Sequence, residues 1–360
     1  MEEFHPGTRI VSGSGAVSAL ESLGAKRLFL VTDPYFAKNG TAEKIARAAG
    51  AEAVEIFDKV QPDPGVELAA EGTAAFRKFQ PDLIAALGGG SALDLGKAIR
   101  YFAKSPIPLA AVPTTSGSGS EVTDFAILTH GPDKHPLVDR SLRPDLAILD
   151  SDLLTTLPPS LIADTGFDVL THAAEAAVGR NRGCFSDLYA REAFRRVYGN
   201  LLASFEGDIR VRLPIHVAST MAGLAFTHGG LGLCHALSHS LGGRFHIPHG
   251  RLNAILLPSV IRYNARTAAP LYGELARAAG IPGSADTVAV RNLCSGLIRL
   301  RKNLRLPQTL AEAGAEPREI QRGMGELIRA ALADPCCQTN PAEPEEGAVR
   351  AILEEVTGHV

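Results

Sequence analysis

Along the first 150 residues, short apolar runs alternate with longer stretches whose apolar positions recur at helical spacing. TRIVSG (8–13), RLFLVTD (27–33), AVEIF (53–57), DLIAALGGG (82–90), PLAAVPTT (108–115), FAILTH (125–130) and LAILD (146–150) predict strands. Between them, 34–49, 66–80 and 91–103 predict helices. The connection between 130 and 146 is polar and predicts a loop. Strand–helix alternation of this kind points to a parallel sheet covered by helices on both faces. After Pro158 the strand signal disappears. Helical periodicity predicts 160–179, 185–204, 208–228, 231–242, 250–264, 267–280, 286–303, 316–333 and 345–357, separated by breakers such as Gly179, Gly207, Pro248, Pro282, Pro307 and Pro317. The expected organisation is an α/β nucleotide-binding domain over 1–154 and an all-α domain over 155–360.

Composition narrows the class. The 360 residues carry 36 basic and 39 acidic side chains, a net charge of −3, which provides no field for nucleic acid or an anionic membrane. The longest apolar runs, such as 83–87 and 255–257, are too short to span a bilayer. The N-terminus MEEFHPGTRI lacks the apolar core of a secretory signal. Five cysteines, an odd number with no CxxC pair, argue against a disulfide framework and fit a reducing cytoplasm.

Candidate chemistry gathers in HALSHSLGGRFHIPHG (235–250), where four of the eleven histidines fall: 235, 239, 246 and 249. His235 and His239 share a helix face, and His249 follows a Pro and precedes a Gly, as in a fixed turn. Asp168 and His172 share another face at i, i+4. One carboxylate and three imidazoles suit Fe(II) or Zn(II) with a position left open for substrate. Cys234 is adjacent to His235 and so points elsewhere on a helix. In the first domain, Gly13-Ser14-Gly15 with Asp33 twenty residues on imitates a dinucleotide fingerprint without its third glycine. Gly88-Gly89-Gly90-Ser91 opens a helix after a strand and is the second candidate pyrophosphate cradle. The hydroxyl-rich loop PTTSGSGSE (113–121) is the third phosphate-sized feature at a strand end.

These segments, GGGSALDLGK (88–97), PTTSGSGSEVT (113–123), TGFDVLTHAAEA (165–176) and HALSHSLGGRFHIPHG, resemble the signatures of the iron-containing (group III) alcohol dehydrogenases. The resemblance runs along nearly the whole chain. It is strongest to the subgroup of propanediol and ethanolamine utilisation, which acts with bacterial microcompartments on short aldehydes. It implies a dehydroquinate synthase-like architecture with the active site in the cleft between its two domains. It implies Asp168, His172, His235 and His249 as metal ligands and His239 as an unligated histidine near the nicotinamide, placed for proton relay. It implies Asp33 as the carboxylate favouring NAD over NADP. Gly89, Gly90, Ser91, Asp94, Thr114, Thr115, Ser118 and Lys134 become cofactor contacts, and Gly13/Gly15 reverts to a structural turn. The implied cofactors are NAD(H) and Fe(II), with Zn(II) as the alternative. The implied substrate is a short-chain aldehyde or primary alcohol such as propanal or acetaldehyde, with no nucleic acid or membrane partner. A homodimer, association with microcompartment enzymes, and a cytoplasmic or microcompartment location are also implied.

Two other classes compete. A zinc polyol or glycerol dehydrogenase shares the scaffold. A dehydroquinate synthase-like lyase needs a basic substrate pocket, and few Lys or Arg stand beside the candidate ligands in 160–250. The chain departs from the family pattern at Ser118, where Thr is usual, and at Gly96, where Ala is common and Gly weakens a helix. His228 stands at a position often occupied by Gln. His228 and His246 receive no assigned role.

Overall fold

Strand residues of alternating parity face opposite sides of a sheet, and the first unit is built on that rule. Leu28 and Leu30 join one core with Leu83, Ala85, Leu87, Ala110, Val112, Leu146 and Ile148. Phe29 and Val31 join the other with Ile84, Ala86, Leu109 and Ala111. A strand buried on both faces needs apolar residues at every position, which is why these runs read as continuous rather than alternating. The computed structural model describes residues 3–131 and 133–358; the side chains at 133 and 134 lie outside the description.

The strands are β1 (Arg9–Gly13), β2 (Arg27–Thr32), β3 (Ala53–Phe57), β4 (Leu83–Gly88), β5 (Leu109–Pro113), β6 (Phe125–His130), β7 (Asp133–Val138) and β8 (Leu146–Asp150). Six of them form a parallel sheet in the order β1-β8-β5-β4-β2-β3. β6 and β7 form a separate antiparallel hairpin. The polar connection expected after β6 therefore contains a strand, DKHPLV, which polar residues and a proline conceal from a hydrophobicity reading.

Helices α1 (Pro34–Lys38), α2 (Thr41–Ala49), α3 (Val66–Phe79) and α4 (Gly90–Ala103) complete the first unit. The single helix expected over 34–49 is two, because Gly40 sits in a left-handed conformation at φ 85° between them. Helix α2 and a 3-10 turn over Ala16–Leu23 cover one face; α3 and α4 cover the other. Gly96 stands where α4 meets β4: a Cβ there would lie 2.7 Å from the Ala86 Cβ. The glycine gives up helix propensity and lets helix and strand approach closely.

The second unit is helical: α5 (Pro159–Ala176), α6 (Cys184–Phe205), α7 (Arg212–Gly229), α8 (Leu233–Phe245), α9 (His249–Ala278), α10 (Asp286–Asn303), α11 (Pro317–Ala333) and α12 (Glu346–Thr357). Its helices match the periodic segments closely, with one difference. The two expected helices 250–264 and 267–280 run together as α9, kinked at Ala268 (φ −122°, ψ 21°), two residues before Pro270. The units divide at Leu157/Pro158 rather than at 154/155, and Phe4 belongs with the helical unit. A 3-10 turn over Ser151–Leu154 extends the first unit past β8, and Pro158 caps α5. Among the described residues, no helix is long and apolar enough to cross a membrane.

Candidate active site

In the helical unit, α5, α8 and α9 bring three predicted histidines around one oxygen atom of the predicted Asp168. Asp168 Oδ1 lies 3.6 Å from His249 Nε2, 3.8 Å from His235 Nε2 and 3.9 Å from His172 Nε2. These separations are too long for hydrogen bonds. They suit ligands sharing one ion, since bonds of about 2.0–2.2 Å in a tetrahedron set neighbouring ligand atoms about 3.4 Å apart. The ligand atoms of Asp168, His235 and His249 all lie within 4.8 Å of one another. His172 completes the set from one turn further along α5, its ring stacked 4.7 Å from that of His235 and 4.5 Å from Phe226.

The chain spends glycine and polar residues to build this geometry. His249 is the first residue of α9, and Gly250 follows it; a Cβ at 250 would fall 1.9 Å from the Asp164 carbonyl oxygen. Only glycine lets the start of α9 sit against α5 there, which brings His249 to Asp168. Arg251 binds both carboxylate oxygens of Asp164 (3.2 and 2.9 Å) and ties the same two helices together. Asn253 donates to Asp168 Oδ1 at 2.7 Å and accepts from the Ser238 hydroxyl at 2.6 Å.

A residue that the histidine and aspartate pattern did not single out, Glu175, orients His235. Its Oε2 accepts from His235 Nδ1 at 2.6 Å. The same carboxylate accepts from the backbone amides of Gly232 (2.9 Å) and Cys234 (2.7 Å), and so caps the N-terminus of α8, which has no cap of its own. With the proton fixed on Nδ1, His235 presents the lone pair of Nε2, and that atom is buried with no hydrogen-bond partner. An orphaned imidazole nitrogen aimed at a carboxylate across 3.8 Å fits a cation-binding site. Signals for Glu175 were available: it is on the same helix face as Asp168 and His172, an acid inside the apolar run AAEAAV.

Electrostatics agree with the ligand role. Burial pushes the imidazoles of His235 and His249 well below their ordinary value, so both are neutral, the form that binds a metal. Burial works against the Asp168 charge, but the imidazoles of His172, His249 and His235 and the Asn253 bond outweigh it and hold the carboxyl low. Burial raises Glu175 to about 7 against the pull of the Cys234 and Gly232 amides. The His235 side chain is 2% exposed and that of His249 is 35%, so the set opens on the His249 side. Cys234 is turned away, its sulfur 3.7–3.8 Å from the Asn253 oxygens.

His239 stands beside the set without joining it. Its ring stacks 5.3 Å from that of His249, and its Nδ1 bonds Asp334 Oδ2 at 2.8 Å. Burial opposes the Asp334 charge, but the His239 and Cys336 hydrogen bonds hold that carboxyl down at about 2. Nothing in the sequence links Asp334 to His239, 95 positions away. His246 is exposed and left-handed (φ 53°), and it ends α8 as its C-cap. His228 bonds the Leu224 carbonyl at 2.9 Å and packs 4.3 Å from Phe4.

In the α/β unit the predicted cofactor residues gather at one point of the sheet. The chain leaves β2 toward the helix on one face and leaves the adjacent β4 toward the helix on the other. Between them lies the switch point where open α/β sheets bind ligands. Asp33 follows β2 there; its Oδ1 caps α1 through the amides of Tyr35 (2.9 Å) and Phe36 (3.1 Å), and its Oδ2 lies 3.8 Å from where a Cβ on Gly88 would stand. Gly88 has φ 148°, and a Cβ on it would meet Ala92 at 2.7 Å. Cβ atoms on Gly89 and Gly90 would press on Thr115 (3.3 Å) and Ser118 (3.1 Å), so the two loops are in contact. No side chain caps the N-terminus of α4, which leaves its first amides for an anion.

Two of the residues expected at the cofactor make bonds within the protein, and a third lies outside the description. Asp94 has both oxygens occupied, by the Ser120 hydroxyl (2.5 Å) and the Ile127 amide (3.0 Å), and so anchors the 113–127 segment to α4. Thr114 is buried, and its amide donates to the Gly88 carbonyl at 3.0 Å. The side chain of Lys134, expected at the cofactor, lies outside the described residues. Gly15 is part of a turn whose amides at 15 and 17 donate to Asp150, consistent with a structural role for Gly13-Ser14-Gly15.

Two family models match the chain: iron-containing alcohol dehydrogenase over residues 7–151, and the C-terminal part of the Fe-containing alcohol dehydrogenase family over 162–357. The chain belongs to the iron-containing alcohol dehydrogenase family. It is 39% identical to the 1-propanol dehydrogenase PduQ of Salmonella typhimurium, covering 99% of this chain and 100% of that one. Among solved structures it resembles the iron-containing alcohol dehydrogenase of Thermococcus thioreducens (TM-score 0.91, 33% identity, 98% and 99% of the two chains). It also resembles the sulfoacetaldehyde reductase of Bifidobacterium kashiwanohense, solved with NAD+ (TM-score 0.90, 25% identity, 99% and 98%). As a member of this family the protein is an alcohol dehydrogenase with the family's α/β unit and helical unit.

Proposed function

We propose that the enzyme is an NAD(H)-linked, iron(II)-dependent primary alcohol dehydrogenase that works mainly as a reductase of short-chain aldehydes such as propanal or acetaldehyde. The convergence of three imidazole Nε2 atoms on Asp168 Oδ1 carries the reading. Asp168, His172, His235 and His249 would hold the metal, which supplies Lewis acidity toward the substrate oxygen. NAD(H) supplies or accepts the hydride. The amides at Gly89, Gly90 and Ser91 would take the pyrophosphate, with Thr115 and Ser118 across from them. The free oxygen of Asp33 would accept from the ribose hydroxyls and repel a 2′-phosphate.

His239 is the proposed proton relay. Asp334 holds the proton on Nδ1, which leaves Nε2 to deliver a proton to the product oxygen in reduction and to take one in oxidation. Resemblance to the propanediol- and ethanolamine-utilisation dehydrogenases supports a homodimer associated with microcompartment enzymes. The test of function is NADH oxidation by anaerobically purified, iron-loaded enzyme over acetaldehyde, propanal, butanal and glyceraldehyde. The reading requires turnover to be highest with an unsubstituted short aldehyde; preference for a polyol or for zinc over iron contradicts it.

A further inference from the structure

A second cluster of metal-binding side chains lies behind the proposed relay histidine. The ligand atoms of His239, Asp334 and Cys336 all lie within 4.8 Å of one another. Asp334 organises them: Oδ2 takes the His239 Nδ1 at 2.8 Å, and Oδ1 takes the Cys336 amide at 2.8 Å. The three residues come from α8 and from the turn after α11, a 3-10 segment over Pro335–Thr339. The His239 side chain is 38% exposed, so the cluster can be reached from solvent.

We propose that His239, Asp334 and Cys336 form an inhibitory Zn(II) site distinct from the Asp168–His172–His235–His249 set. The donor chemistry differs between the two. The first set has one carboxylate and three imidazoles; the second has an imidazole, a carboxylate and a thiol, and thiolate selects zinc over harder divalent ions. One Asp carboxylate and one Cys thiolate balance the charge of Zn(II), and a water completes four-coordination. Binding releases protons to solvent: the thiol proton, and the His239 Nδ1 proton that Asp334 otherwise holds. Bonds of about 2.0–2.3 Å set tetrahedral ligand atoms about 3.3–3.7 Å apart, so the His239–Asp334 pair, now at 2.8 Å, opens slightly as zinc replaces the shared proton, within the reach of side-chain rotation on a short turn. Zinc on Nδ1 would take the relay histidine out of use. That effect on turnover rests on the proposed role of His239; the binding itself does not.

Cobalt(II) separates the two sites, because only a thiolate ligand gives a sulfur-to-cobalt charge-transfer absorption, and the first set contains no thiol. Iron-loaded holoenzyme titrated with CoCl2 should develop that band at one equivalent. ZnCl2 should abolish it and lower turnover at least tenfold without releasing iron. Cys336→Ser and Cys336→Ala should both lack the band, keep wild-type turnover in zinc-free buffer, and lose the zinc inhibition. Either variant settles the matter if the other folds poorly. A band that persists in the Cys336 variants, or no band in the wild type, overturns the site. A band without inhibition retains the site and overturns its inhibitory effect.

Discussion

His235 Nδ1 donates to Glu175 Oε2 at 2.6 Å, and the ring it fixes presents Nε2 to Asp168 at 3.8 Å. One carboxylate thereby sets the tautomer of a metal-binding candidate and caps the helix that carries it. Oε2 serves both His235 and the Gly232 amide, while Oε1 serves the Cys234 amide alone.

Glu175→Gln keeps an acceptor for one amide and weakens the polarisation of His235. Metal affinity should fall by about 10–100-fold, as loss of a carboxylate behind a ligating histidine does. Competition against a chelator of known affinity measures it. Unchanged affinity would show that Glu175 serves only α8.

Asp33 has two roles in the structure, helix cap and candidate ribose contact, and a substitution must tell them apart. Asn caps a helix as well as Asp does. Asp33→Asn should leave thermal stability near wild type while the ratio of kcat/KM for NADH over NADPH falls by tenfold or more. A ratio that stays put removes Asp33 from the cofactor site.

His239→Asn should lower kcat by about 10²–10⁴ with metal content near stoichiometric. Asp334→Asn should lower kcat less, since the ring loses its orienting charge and keeps its proton-carrying nitrogen. Metal loss in the His239 variant would make it a ligand. Equal KM changes and unchanged kcat in both would remove the relay.

Lys97 is buried in the α/β unit, its Nζ 2.9 Å from both the Thr123 hydroxyl and the Phe125 carbonyl. Burial lowers it from 10.5 to about 8, against the pull of Asp94. The unfolded chain therefore binds more protons between those values, and this residue's contribution to stability rises with pH across them, by about 3 kcal/mol at most. Urea denaturation of wild type and Lys97→Gln at pH 7 and pH 10 should show the difference between them moving in favour of wild type. A constant difference shows that Lys97 does not titrate in this window.

Much of this site is legible in the sequence because its signals are local. Asp168 and His172 share a face by spacing, His235 and His239 by the same rule, and glycines after a strand mark a turn wherever they occur. The parallel sheet follows from runs apolar at every position, as in β4. What escapes is long-range or conformationally ambiguous. Asp334 meets His239 only because α11 returns to α8. The bonds of Asp94 to Ser120 and Ile127, 26 and 33 positions away, are likewise invisible in its local motif. Strand β7 escapes because its hairpin partner, rather than its own hydrophobicity, holds it in place.

Asp168, His172, His235 and His249 are the proposed holders of the catalytic metal. Elemental analysis of anaerobically purified wild type and His249→Ala, paired with NADH oxidation on propanal, decides that assignment. One iron per chain and full turnover are expected in the wild type, with metal and activity lost together in the variant. A His249→Ala enzyme that keeps stoichiometric metal and wild-type turnover contradicts it.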